Sequence, residues 1–182
     1  MKLRVKAQVK RKALSESQIE NGPFTVGQVN FDNRSGLGSV SDCANVVYMG
    51  AVAMMKPSNF LRLAAAGKEE AKIGPLKEKI LEGVALGSPF LSLDDSKFET
   101  TGMMQVTGHE GRHRCYAIQA VQQDEPIPVC VFIRGLRARH WTPEILKSLN
   151  KGVQCEKSTS VASGVFEGFW VDDKWISKAE LG

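Results

Sequence analysis

The run Ile127-Pro128-Val129-Cys130-Val131-Phe132-Ile133 most constrains what this chain can fold into. It is strongly β-branched, apolar throughout, and opened by the turn formers Asp124-Glu125-Pro126. Successive side chains of a strand point to opposite faces, so a strand apolar at every position is stable only where both faces are covered. Its length and bracketing predict a central strand.

The flanking sequence mixes helical and strand signals without strict alternation and without a repeat. Residues 46–55 are dense enough in apolar side chains for a buried strand. Pro57 breaks it, and Ser58 is the expected N-cap of a helix running from Asn59 through Ala66 to Gly67. Gly74-Pro75 reads as a turn, followed by a helix from Pro75 to about Glu82, with proline at the favoured first position. Residues 90–93 form a short strand closed by Asp94-Asp95, with a polar loop on to Thr101. A strand over 103–106 and a buried helix over 116–121 follow. Thr142-Pro143-Glu144 opens a helix over 144–149, and 164–171 with 174–176 reads as a hairpin around Asp172-Asp173.

The amino-terminal part is more polar. Residues 2–12 alternate Leu3, Val5, Ala7 and Val9 with Lys2, Arg4, Lys6, Gln8 and Lys10, the signature of a half-buried strand with a basic outer face. That face either contacts phosphates or serves as a solvated, edge-protecting row. A short strand is expected over 24–31, then a loop over 32–38 whose glycines either line a ligand or simply connect. The predicted class is α+β: a mixed sheet flanked by short helices, with an amino-terminal strand and a carboxy-terminal hairpin added. At 182 residues the chain is expected to form a single domain, 1–182. Within it lie a core of about 46–135, an amino-terminal extension 1–45 and a carboxy-terminal helix and hairpin over 140–182.

Composition excludes several classes. Hydrophobic residues make up 42% and charged residues 24%, ordinary for a soluble globular protein. The net charge of +4 is compatible with an anionic ligand but mild. Cys43, Cys115, Cys130 and Cys155 form no C-x-x-C pair, so neither a cysteine metal site nor an extracellular disulfide framework is expected. No apolar run suits a secretory signal or a membrane span. A cytoplasmic protein without a membrane partner is expected.

The chemistry concentrates in Gly108-His109-Glu110-Gly111-Arg112-His113-Arg114. A strand that passes through glycines into a helix lets backbone approach an anion and aims free helix N–H groups at it. Arg112 and Arg114 supply planar donors for phosphate. His113 donates to a phosphoryl oxygen or moves a proton, and Glu110 is the candidate base. The same residues also admit a purely structural reading, in which Arg114 pairs with Asp94 or Asp95, His113 caps a helix and Glu110 is solvated. The pattern is neither Walker A nor G-x-G-x-x-G. Read literally, His109-Glu110-Gly111-Arg112-His113 matches H-E-x-x-H. A zincin needs those residues inside one helix, however, and here glycines and a preceding strand interrupt it, so no zinc is expected.

At these residues the chain resembles the ParB/sulfiredoxin-like superfamily. Gly111-Arg112-His113-Arg114 matches its turn, 115–121 its helix and Ile127-Pro128-Val129 its next strand. Pro89-Phe90-Leu91-Ser92-Leu93 resembles the preceding strand, and Met55-Lys56-Pro57-Ser58-Asn59-Phe60-Leu61 the entry into the first helix. The extended motif is also similar to proteins encoded by bacteriophages, which would place this chain in a host cytoplasm. The resemblance implies a nucleotide-phosphate site, since partition proteins bind and hydrolyse CTP, a related kinase phosphorylates serine and sulfiredoxin uses ATP. Carried over, Gly111, His113 and Arg114 contact phosphate, joined by Gly108, His109 and Arg112. The sulfiredoxin cysteine is Arg112 here, which argues against sulfinic acid reduction, and no helix-turn-helix follows Arg139.

The expected function is therefore phosphoryl transfer or NTP hydrolysis on ATP or CTP. Glu110 and His113 would be catalytic, and Asp94 and Asp95 would be candidate Mg²⁺ ligands. On this reading, His113→Ala and Arg114→Ala each abolish nucleotide binding without unfolding the chain. Two alternatives stay open. One is a nucleic-acid binder or ParB-like nuclease using 2–12 with Arg134, Arg137 and Arg139, and with Trp170 and Trp175 as a stacking platform. The other is a non-catalytic interaction protein. Oligomeric state is not legible.

Overall fold

A computed structural model describes residues 24–32, 48–65, 67–134, 141–171 and 174–182. The basic strand expected over 2–12, the loop 33–38, residues Gly135, Leu136, Arg137 and Arg139, and the turn residues Asp172 and Asp173 lie outside the described residues, as does the side chain of Arg134.

The expected central strand is present as β7 (Ile127–Arg134). Along its whole length it pairs antiparallel with β3 (Tyr48–Met55), from Ile127 opposite Met55 to Arg134 opposite Tyr48. On its other side it pairs parallel with β5 (Phe90–Asp94), beginning at Phe90 opposite Cys130. Beyond β5 lies β6 (Met104–Glu110), antiparallel to it, followed by the two-residue strands β8 (Val153–Gln154) and β9 (Val161–Ala162). Beyond β3 lies the hairpin of β10 (Phe166–Val171) and β11 (Lys174–Ser177). The eight-stranded order is β11-β10-β3-β7-β5-β6-β8-β9. A small separate sheet joins the hairpin β1 (Phe24–Val26) and β2 (Val29–Asp32) to β4 (Leu86–Gly87).

Alternation along β7 divides its two faces. Ile127, Val129, Val131 and Ile133 share one core with Phe60 and Leu63 of helix α1 (Pro57–Leu63), Ile73 and Ile80 of α2 (Glu70–Leu81), and Cys115, Ala117 and Ile118 of α4 (Arg112–Val121). The intervening Cys130 and Phe132 form a smaller cluster with Phe90. Burying a side chain such as Phe60 or Leu63 stabilises the fold by about 1.5–3 kcal/mol. This contiguous apolar layer is what holds the helices on the sheet. The architecture is α+β, a mixed sheet flanked by helices. Short helices α3 (Phe98–Thr101) and α6 (Lys178–Leu181) and the longer α5 (Pro143–Lys151) complete it. Among the described residues no helix is long and apolar enough to cross a membrane.

Several boundaries differ from expectation. Ser58 is not the N-cap of α1: Lys56 occupies that position without a side-chain cap, and Pro57 leads the helix. The missing cap comes from Asp124, 66 positions on, which accepts from Ser58 N at 3.0 Å and from Ser58 Oγ, and from Gln119 Nε2 at 3.2 Å. Helix α2 begins at Glu70, so Pro75 lies inside it rather than at its start. An interior proline costs about 3 kcal/mol. Ile73 and Ile80, both buried on the face towards the core, offset that cost. The polar loop expected up to Thr101 contains α3, and α1 stops at Leu63, ahead of Gly67. At α5, Thr142 Oγ1 does accept from Ile145 N, a side-chain cap as the Thr-Pro-Glu sequence predicts.

Asp124→Ala should destabilise the protein by about 1–2 kcal/mol, the usual cost of losing a helix cap, measured by urea denaturation. Burial raises the Asp124 pKa, but the hydrogen bonds from Ser58 and Gln119 outweigh it and hold the carboxyl below its ordinary 3.8. The stabilisation is therefore complete above pH 3.8 and is lost as pH falls below it. Denaturation of Asp124→Ala should lack that acid-side component.

Candidate functional site

The 108–114 stretch is divided between two environments by one extra residue in β6. Val106 pairs with Leu93 and Gly108 with Ser92, so Thr107 is a bulge. An inserted residue flips every side chain beyond it to the other face. Met104 and Val106 point into the core, and without the bulge Gly108 and Glu110 would follow them. Instead His109, opposite buried Leu91, turns inward. Its ring lies edge-on to Phe60, with centroids 6.2 Å apart.

There His109 Nδ1 pairs with the Glu156 carboxylate, and the two side chains are 14% and 9% exposed. The same carboxylate accepts from Ala65 N at 2.8 Å, while Glu156 N donates to Leu63 O at 2.9 Å. Glu156 thus closes the carboxyl end of α1 and anchors His109 to it. Sequence reasoning missed Glu156. It lies 47 positions from His109 in a polar stretch, with no spacing signal to join them.

Gly111 makes the turn from β6 into α4. Its φ of 111° lies in the left-handed region, and a Cβ there would sit 2.6 Å from Pro89 Cβ and 2.8 Å from Pro89 Cα. Only glycine fits both demands. The turn is therefore one residue wide, Gly108 being an ordinary strand residue opposite Ser92. The first bond closing α4 runs from Cys115 N to Gly111 O, at 3.0 Å. The N–H groups of Arg112, His113 and Arg114 ahead of it have no acceptor within the helix.

The charged side chains diverge from here. Arg112 folds back against Gly67 and donates from Nη1 to Ala65 O at 3.0 Å. Arg114 turns under the sheet edge, donating to Gly87 O, to Ser88 O at 3.4 Å, and pairing through Nη2 with Glu110. Its side chain is 14% exposed against 55% for Glu110. Burial lowers the Arg114 pKa, yet a guanidinium stays charged at physiological pH. It therefore needs these acceptors where it sits. The structural reading had Arg114 paired with Asp94 or Asp95; its ion-pair partner is Glu110.

A cleft of about 440 Å³ opens beside this turn, between α2 and the amino end of α4. Glu110, Gly111, His113 and Arg114 line it together with Ala71, Lys72, Pro75 and Leu76. Gly108, His109 and Arg112 are not among its walls. His113 Nε2 is buried with no hydrogen-bond partner. Glu69 Oε1 stands 3.6 Å away, an electrostatic contact too long for a hydrogen bond. Burial, then the charge of Arg112, pushes the His113 pKa below its ordinary 6.5, and Glu69 opposes them. His113 is thus neutral at pH 7. Lys72 and Glu69 were not anticipated, because the expected helix began only at Pro75.

Asp94 and Asp95 do not belong to this site. Glu110 pairs with Phe90 at one end of β5 and Asp94 with Gln105 at the other, about 13 Å along the strand at its usual rise. Asp94 Oδ1 instead accepts from Ser96 N at 2.7 Å. Among the described residues no group of three or more His, Cys, Asp or Glu converges. The H-E-x-x-H reading is excluded by geometry. Its first two residues end a strand and its last lies in a helix, so the imidazoles share no helical face. Cys115 is fully buried in the core and burial raises its pKa, leaving it no thiolate to offer.

Comparison of the chain with protein-family models, curated proteins and solved structures finds no match.

Gly111→Ala combines backbone strain with overpacking and should cost about 2–5 kcal/mol. Arg114→Ala, which strips partners from Gly87 O and leaves the exposed Glu110 without its cation, should cost about 1–3 kcal/mol. Chemical denaturation reads both. Arg114→Ala is therefore a less direct binding test than His113→Ala.

Proposed function

We propose that the cleft at the amino end of α4 binds the phosphate groups of a nucleotide, ATP or CTP, and supports phosphoryl transfer or NTP hydrolysis. The observation that carries this reading is the meeting of three features around one cleft. They are the N–H groups that begin α4 and have no acceptor within the helix, the unpartnered Nε2 of His113, and the ammonium of Lys72. A helix amino terminus carries partial positive charge and free donors, and both favour a phosphate. A cleft of about 440 Å³ is also within the range of small-ligand sites, about 300–1,000 Å³.

The proposed roles differ from those expected. The amides after Gly111 bind phosphoryl oxygens, Lys72 balances their charge, and His113 donates to them and takes up a proton as negative charge arrives. Arg114 and Arg112 brace the turn from behind. Glu110 is the candidate base on the cleft wall, and it accepts a proton only after leaving Arg114. The resemblance to the ParB/sulfiredoxin-like superfamily supports the same reading, because its phosphate turn corresponds to the segment that lines the cleft. Assignment of that specific fold is part of the proposal.

Calorimetry with ATP, CTP and their diphosphates should show saturable binding to the wild-type chain. His113→Ala and Lys72→Met should each weaken it about tenfold, the worth of one charge-assisted contact. A bound phosphate favours charged His113, whereas burial disfavours that form in the free protein. Affinity should therefore rise as pH falls toward 6.5 and through it, and His113→Ala should abolish that trend. Absence of heat with every nucleoside tri- and diphosphate would overturn the proposal.

A further inference from the structure

Glu69 precedes α2 at its N-cap position yet makes no side-chain bond to its own helix. Its carboxylate points instead at the cleft residues. Oε2 lies 2.7 Å from Lys72 Nζ, and Oε1 lies 3.6 Å from His113 Nε2. These are the two side chains to which a phosphate would bind. The neighbouring Glu70 behaves differently, pairing with Lys68.

We propose that Glu69 is an intramolecular competitor for the phosphate cleft, a carboxylate held by Lys72 beside His113 until a phosphate ligand displaces it. The inference rests on the phosphate-binding reading of the same cleft. The two anions cannot share these donors, since like charges at such separation repel strongly. Nor is Glu69 locked in place: its side chain is 53% exposed and no backbone group holds it. The contact to His113 is too long to satisfy Nε2, so that nitrogen keeps an unfilled position that a phosphoryl oxygen can take. The hydrogen bond from Lys72, with the nearby charges of Lys72 and Arg112, holds the carboxyl of Glu69 below its ordinary pKa, so it remains an anion across the working range.

The expected size follows from the exposure of the pair. Exposed ion pairs are individually weak, and a competitor reduces apparent affinity only by the fraction of time it occupies the site. Replacing Glu69 by its neutral isostere should therefore tighten binding by about three- to tenfold, not by orders of magnitude.

The test is calorimetric titration of the full chain with inorganic pyrophosphate and, separately, ATP at low salt, in wild type, Glu69→Gln and Glu70→Gln. Both substitutions remove one negative charge from the start of α2, but only the first removes the contact with His113 and Lys72. Thermal unfolding without ligand checks that each variant folds. Glu69→Ser, which adds a favourable helix cap, replaces Glu69→Gln if the latter does not. Tightening by about three- to tenfold in the Glu69 variant, with less than about twofold in Glu70→Gln, is the expected result. If wild type binds and the Glu69 variant binds no better, the competitor role is overturned while the cleft stands. Equal tightening in both variants overturns it too, because general charge then suffices. Binding by none of the three overturns the competitor and the phosphate site together.

Discussion

The structure depends first on the burial of β7. A strand paired along its full length by β3 on one side and by β5 on the other has its backbone satisfied, but its side chains still require cover. Ile127, Val129, Val131 and Ile133 obtain it from α1, α2 and α4, whose apolar residues lie in the same core. Because those helices must sit on one face of the sheet, the amino end of α4 and the first turns of α2 are brought side by side. The cleft between them follows from the need to cover β7.

Two local devices then decide which motif residues face that cleft. The bulge at Thr107 sends His109 inward to Phe60 and Glu156. The left-handed Gly111, pressed on Pro89, reverses the backbone so that α4 starts at once. A stretch that reads as one cluster of polar groups is thereby separated into a buried brace and an exposed wall. Desolvation explains the rest: guanidiniums as enclosed as Arg112 and Arg114 are held by backbone carbonyls, and Arg114 also claims Glu110. Residue types that suggest catalysis are thus largely engaged in positioning, while Lys72 and Glu69, on and just ahead of α2, bring a second charged pair to the cleft.

The same economy appears at α1. Its expected cap, Ser58, is a donor to Asp124 rather than an acceptor for its own helix, so the loop after α4 is tied to the start of α1. At the other end of α1, Glu156 bonds Ala65 N and His109. Both ends of one short helix are therefore fixed by carboxylates distant in sequence. Through Glu156, that helix is tied to the strand carrying His109.

What the sequence by itself determined was set by local periodicity and backbone chemistry. The β-branched run 127–133 could only be an interior strand, Thr142-Pro143 could only open a helix, and a glycine between strand and helix could only be a turn. The α+β class and the position of the turn were legible for that reason. The width of the turn, the inward face of His109, the early start of α2 around Pro75 and the remoteness of Asp94 were not. Each depends on strand register or on packing between segments far apart in the chain. Only the tertiary structure decided them, because a one-residue shift in pairing or a buried contact across the fold changes which side chains meet without altering any local pattern.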